Sequence, residues 1–149
     1  EINKSLLHRE IRGEQEMSIK IEISTGELLD KISILLIKSE RIKDKDKLIN
    51  IGNELHILQT AWQASPYSGM EGMAEDLQAL REVNEALWDI EDAIREKERA
   101  EEFDDRFIAL ARSVYITNDR RAGIKKRINL RSGSGLIEEK SYSGYQIES

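Results

Sequence analysis

FIALARSVYITNDRRAGIKKRI, residues 107–128, is the stretch on which the fold turns. Projected at about 100° per residue, Phe107, Leu110, Ala111, Val114 and Ile128 fall on one face of a helix. Asn118, Arg121 and Lys125 sit in the middle of that face, where apolar residues should continue. Polar groups on a buried face are costly unless paired. They mark either a structural network or a site.

Working outward, Asp104 is the expected N-cap of this helix, and Ser132-Gly133-Ser134-Gly135 ends it near Leu130. A short link at residues 101–103 joins it to a helix over 71–99, whose stripe is Met73, Leu77, Leu80, Val83, Leu87 and Ile94. Short links make antiparallel neighbours, so the two form a hairpin of helices roughly 42 Å long at about 1.5 Å per residue. Pro66 and Gly69 mark the loop before it. Two shorter helices precede that loop. The first starts with the capping box Ser24-x-x-Glu27 and runs to about Ile42. Leu28, Leu29, Ile32, Leu35, Leu36 and Ile42 make its wide stripe, and Ile34 and Ile37 lie on the far side. A helix apolar on two faces is either central in a bundle or covered by a second copy. After the solvated break Lys43–Lys47, the second helix runs from about Lys47 to Gln63, with Leu48, Ile51, Leu55, Leu58 and Trp62 inward. These two are expected to cover one side of the hairpin.

Composition agrees with an all-α helical bundle. Charged residues are 35%, aromatics 5%, and there are one proline and nine glycines in 149 residues; a sheet protein would want more turn, β-branched and aromatic residues. The length suits a single domain. The absence of cysteine rules out disulfides, thiolate metal sites and a Cys nucleophile. His8 and His56 are far apart, and His56 reads as a surface or boundary residue. No apolar run approaches the roughly 18 residues of a membrane span, and no signal-peptide pattern opens the chain. A cytoplasmic protein without a cofactor is expected. Residues 1–16 lack sustained periodicity. Met17 opens MSIKIEIS like a natural start, and RGEQE before it could be a translated ribosome-binding region, so 1–16 reads as an upstream extension. The helical domain is expected over 17–142 and a frayed tail over 143–149, with Leu136, Ile137 and Tyr142 strapping part of the C-terminal segment. Ile19, Ile21 and Ile23 alternate with Lys20 and Glu22, a short extended pattern.

Charge is uneven. Residues 71–105 carry fourteen acids against four bases, whereas 120–131 carry six bases and no acid. That basic run invites a nucleic-acid reading. No aromatic residue is interleaved with it for base stacking, and the chain's own acidic helix is a ready partner. Nucleic acid is therefore not an expected partner.

The long acidic helix has the same oddity as the helix after it. Asn84 and Glu91 fall on its apolar stripe, flanked by Trp88. Folding back near residue 101 or 102 puts Asn84 level with Asp119, beside Asn118 and Arg121, and Trp88 level with Tyr115. The candidate site is thus Lys31, Asn84, Trp88, Glu91, Asn118, Arg121 and Lys125, with Lys31 joining from the edge of the first helix. Two readings compete. The belt is a hydrogen-bonded network fixing register or oligomeric state. Alternatively it lines a cleft for an anionic small molecule, a nucleotide or sugar phosphate, with Arg121 as a bidentate clamp and Lys125 as a point charge.

Three blocks, STGELLDKISILLIKSERI (Ser24–Ile42), VNEALWDIEDAIREKE (Val83–Glu98) and VYITNDRRAGIKKRINLRSGSGLIEEKSY (Val114–Tyr142), together resemble a family of small bacterial and phage helical proteins known only as a domain of unknown function. The resemblance covers about Ile21 to Tyr142. It implies a lean toward glycan and surface-polysaccharide assembly and nothing about mechanism. The leading expectation is an accessory or interaction protein, a homodimer with a possible protein partner in glycan assembly.

Two helical enzyme families offer partial likenesses. All-α nucleotide pyrophosphohydrolases hold Mg²⁺ with Glu-x-x-Glu and a later Glu-x-x-Asp, because a hard cation wants several carboxylates. Glu82-x-x-Glu85 and Glu101-x-x-Asp104 imitate this poorly: Arg81 stands where that family has a Glu, and the second pair falls at the helix break. LREVNEALWDIEDAIREKE has a passing likeness to the first helix of helical chorismate mutases, but the basic residues fall elsewhere.

Overall fold

The structure, a computed structural model, describes residues 18–141 and Gly144. The expectations for His8, residues 1–16, Met17, Tyr142 and the tail 143–149 lie outside the described residues, Gly144 apart. The fold is all-helical, with four helices among the described residues: α1 (Thr25–Arg41), α2 (Lys45–Ala64), α3 (Met73–Arg99) and α4 (Asp105–Ser132).

Local chemistry sets the helix ends. Ser24 accepts from the Glu27 N–H at 3.1 Å and Asp44 from the Lys47 N–H at 3.0 Å, so both short helices start on a side-chain cap. Asp104 does the same for α4, accepting from the Phe107 N–H at 2.9 Å. The α3–α4 link closes with the Glu102 N–H donating to the Lys97 carbonyl at 3.0 Å and Glu101 in the left-handed region at φ 54°. Lys97 bridges Glu102 and Asp104 across this turn at 2.5 and 2.8 Å. Gly133, at φ 63°, ends α4 while the Ser134 N–H reaches the Asn129 carbonyl at 2.9 Å. Residues 18–24 form neither helix nor strand, so the alternating isoleucines are not a sheet signal; Ile19 and Ile21 are exposed.

The hairpin α3–α4 is the frame, and α1 lies across it, touching every other helix. Of the two explanations for an α1 apolar on two faces, the central position applies: Leu29 and Ile32 pack in the core with Met73, Leu80, Val83 and Ile128, and Ile37 on the other side is also buried. Each such aliphatic side chain removed from water contributes about 1.5–3 kcal/mol. The placement of α2 departs from expectation. It packs along α1 and not along the hairpin. Its inward residues Leu55, Leu58 and Trp62 reach the core only partly buried, and Ile51 is its one fully buried residue. A half-wide stripe on a helix with one neighbour cannot bury more.

The C-terminal strap also differs from expectation. Leu136 and Ile137 are exposed rather than docked. Ion pairs hold the segment along α4 instead: Glu138 to Lys125 at 2.9 Å, Glu139 to Lys126 at 3.9 Å and Lys140 to Asp119 at 3.3 Å.

Candidate functional site

Where α1 crosses the hairpin, the polar residues of three helices meet. At the centre is Asp30, 3% exposed. Its carboxylate accepts from Asn84 Nδ2 at 2.9 Å and lies 3.7 Å from both Arg121 Nε and Lys125 Nζ. Asn84 also donates to Ser33 Oγ at 3.3 Å. Lys125 is buried and faces three carboxylates: Glu27 at 2.7 Å, Glu138 at 2.9 Å, and Asp30. Burial pulls the Lys125 ammonium toward neutrality, but its bonds to Glu27 and Glu138 and the field of Asp30 outweigh this and raise its pKa. The same contact with Lys125 lowers the Glu138 carboxyl. No buried side-chain polar atom among the described residues lacks a hydrogen-bond partner.

This network requires close approach of α1 and α4. The Gly26 N–H, in the first turn of α1, donates to Asn129 Oδ1 at 2.7 Å, so a side chain of α4 caps α1 from across the interface. A Cβ at Gly26 would sit 2.5 Å from the Lys125 carbonyl oxygen. Further down, Asp76 is buried between Arg127 at 2.6 Å and Arg131 at 2.9 Å. Burial alone would raise the Asp76 carboxyl, but hydrogen bonds from the two arginines bring it below its ordinary value. The basic run of α4 is therefore largely neutralised within the chain, by α1, α3 and the strap.

Beside the network opens a cleft of about 490 Å³. Asn84, Trp88, Glu91, Asn118 and Arg121 all line it, so five of the seven candidate residues face one cavity. Leu87, Ile34 and Ile37 form its apolar walls, and Lys38, Asp92 and Arg95 are at its edge. Arg41 stacks 5.8 Å from the centre of the Trp88 ring and pairs with Asp89. Glu91 pairs with Arg95 at 2.8 Å. Among the described residues, the terminal nitrogens of Arg121, the Asn118 side-chain amide and the Lys38 ammonium have no hydrogen-bond partner, and Arg121 is 31% exposed. That is a planar fork, an amide and a point charge beside an aromatic ring, a set suited to a carboxylate or phosphate carried on a ring or apolar body.

Two candidates are placed differently. Lys31 is exposed, away from the cleft, because it falls on the outer side of α1 one residue beyond Asp30. Lys125 belongs to the buried network rather than the cleft, and three carboxylates already satisfy its charge. The carboxylates of the metal alternative do not meet. Glu82 accepts from Gln78 and Glu85 pairs with Arg81, whereas Glu101 and Asp104 are at the hairpin tip. Fourteen helical residues, roughly 21 Å, separate Glu85 from the end of α3 at Arg99. No cluster of three potential metal-ligating side chains occurs among the described residues.

Asp30, Ser33, Gly26 and Asn129 escaped the sequence reading. A signal existed. Gly26, Asp30, Ser33 and Ile37 recur at helical spacing on the second face of α1, the face the isoleucines alone had marked.

No curated protein and no solved structure matches the chain. Residues 19–147 match one protein family across nearly the whole domain, and the chain belongs to that family of unknown function, DUF6165.

Proposed function

We propose that this chain is a binding protein for a small anionic molecule seated in the α1/α3/α4 cleft. One observation carries the reading: Arg121, whose terminal nitrogens make no hydrogen bond, lines a cavity of about 490 Å³ together with Asn118, Lys38 and Trp88. Protein cavities for small ligands run from about 300 to 1,000 Å³. In this reading Arg121 clamps the anion, Asn118 and Lys38 complete its shell, and Trp88 with Leu87 packs against the body of the ligand. The network around Asp30 pre-sets the Arg121 side chain. Nucleotide sugars and sugar phosphates, which join an anion to a ring body, are the first ligands to test, with dicarboxylates beside them.

A thermal-shift screen decides. A ligand at a hundred times its Kd adds about 2.7 kcal/mol of stability, which is several degrees in a domain of this size. Arg121→Met should abolish the shift while costing the unliganded protein no more than about 1 kcal/mol, because Asn84 and Lys125 still face Asp30. A larger loss of stability in Arg121→Met, with no ligand raising the Tm of the wild type, would instead assign the belt to architecture.

A second reading, an accessory protein that docks on others, has its own observation. From residue 88 to residue 116, the distal half of the hairpin, no residue is fully buried. A homodimer and a protein partner in glycan assembly belong to this reading.

A further inference from the structure

Residues 138–140, Glu-Glu-Lys, are matched in charge by α4: Glu138 pairs with Lys125 at 2.9 Å, Glu139 with Lys126 at 3.9 Å and Lys140 with Asp119 at 3.3 Å. Lys140 also donates to the Asn118 carbonyl at 3.5 Å. Asn118 and Lys125 are one turn to either side of Arg121, so the strap's contacts bracket the arginine of the cleft. Apolar packing adds little to its hold. Leu136 and Ile137 are exposed, and they border a gap of about 270 Å³ shared with Ile23 and Glu27. Among the described residues, no backbone–backbone hydrogen bond joins residues 135–139 to the helices. Charge is the main hold on residues 136–139.

Around Arg121 and Lys125 the acids outnumber the cations. Lys125 lies 2.7 Å from Glu27, 2.9 Å from Glu138 and 3.7 Å from Asp30, and Asp30 is also 3.7 Å from Arg121. Three carboxylates thus face two cations. Lys126 and Lys140 do not redress the balance, since Glu139 and Asp119 pair with them. Without Glu138 the charges would match, Glu27 and Asp30 against Lys125 and Arg121, so the network does not need the strap's acid. The Glu138 carboxyl is held below its ordinary value, chiefly by Lys125, with Lys140 and Arg121 adding to it. Arg121 and Glu138 therefore feel one another. An anion arriving at Arg121 meets a cluster already over-neutralised by one charge, in surroundings where like charges a few ångströms apart repel strongly. The anion and Glu138 draw on the same positive charge. We infer that Glu138 is a built-in competitor for the anion site of the cleft: the docked strap weakens anion binding at Arg121, and a bound anion loosens the strap. The two effects are one coupling free energy and are equal in size. The inference rests on the cleft being an anion site, and adds that the chain itself restrains that site.

Titration of the full chain with inorganic phosphate tests the coupling, followed by NMR at the Arg121 Nε–H and at the amides of residues 136–140. Phosphate should shift the Arg121 signal and move the strap amides toward random-coil positions. Glu138→Gln should bind phosphate about tenfold tighter than the wild type. Glu139→Gln removes the same charge one residue further on, where the carboxylate meets Lys126 at the surface. Its phosphate affinity should stay within about twofold of the wild type, because exposed charges are screened. Both side chains are exposed, so neither substitution disturbs the core. Three results overturn the competition and leave the anion cleft standing, each with phosphate still bound at Arg121: no gain of affinity in Glu138→Gln, an equal gain in Glu139→Gln, or strap amides that do not move. An Arg121 signal unmoved by phosphate in both the wild type and Glu138→Gln overturns the cleft and the competition together.

Discussion

Asp30 and Gly26 show how much of this protein hangs on single positions of α1. Asp30 accepts a hydrogen bond from Asn84 and is the anion that Arg121 and Lys125 share at 3.7 Å. Three donors or cations around one buried carboxylate offset its desolvation, which neither Asn84 nor Arg121 could do alone. Gly26 is needed for a different reason. The backbone there is ordinary helix, so conformational freedom is not what selects glycine. The Lys125 carbonyl oxygen would be 2.5 Å from any Cβ. Helix propensity favours Gly26→Ala by about 1 kcal/mol, but the steric demand opposes it: α1 and α4 must separate, weakening the Gly26–Asn129 hydrogen bond. The net expectation is destabilisation by about 1–3 kcal/mol, read as a lower urea midpoint with unchanged m-value. A neutral or stabilising result would mean that α1 shifts freely on α4.

At the scale of elements, the hairpin turn and the distal half of the hairpin stand out. Glu101 takes the left-handed conformation, φ 54°, at the end of α3, where glycine is the usual occupant. Its side chain is exposed and its neighbours Lys97, Glu102 and Asp104 already form the ionic clasp across the turn. Glu101→Gly should therefore stabilise the protein by about 0.5–1 kcal/mol, raising the Tm by roughly 2–4 °C. A drop in Tm would show that Glu101 contributes an interaction larger than its backbone strain. The distal half of the hairpin that this clasp closes, residues 88–116, owes its helicity to capping and i,i+4 pairs such as Glu91–Arg95, since it has no fully buried residue to hold it. α2 is the other marginal element: with α1 as its one packing partner it leaves Ile49 and Ile57 in solvent.

The base of the molecule is fastened twice, by unlike means. The apolar core ties α1 to the lower hairpin, and the Asp76–Arg127–Arg131 cluster ties the start of α3 to the end of α4. Because the arginines hold the Asp76 carboxyl below its ordinary value, its contribution is complete above the normal carboxylate range. It is lost as pH falls through that range and toward the lower folded value. Glu138, lowered by Lys125, adds to the same acid limb and releases the strap. Lys125, raised in the fold, acts at the other end: its contribution is complete below the ordinary lysine pKa and lost above it. Asp76→Asn should cost about 2–3 kcal/mol at neutral pH and flatten the loss of stability below about pH 4. An acid limb as steep as that of the wild type would exclude Asp76 as a main source.

The sequence by itself determined the four helices, their caps and the hairpin, because periodicity and capping act within a few residues of chain. It also placed Asn84, Trp88, Glu91, Asn118 and Arg121 at one level, since antiparallel register follows from a short link. Only the tertiary structure decided that Lys125 faces carboxylates while Arg121 faces the cleft, and that Asp30 joins them. It alone decided that α2 leaves the hairpin uncovered. Those outcomes depend on which side chains meet where α1 packs on α3 and α4, including the close approach of Gly26 to the Lys125 backbone, and such contacts join residues up to about a hundred positions apart in the chain, beyond the reach of helical periodicity.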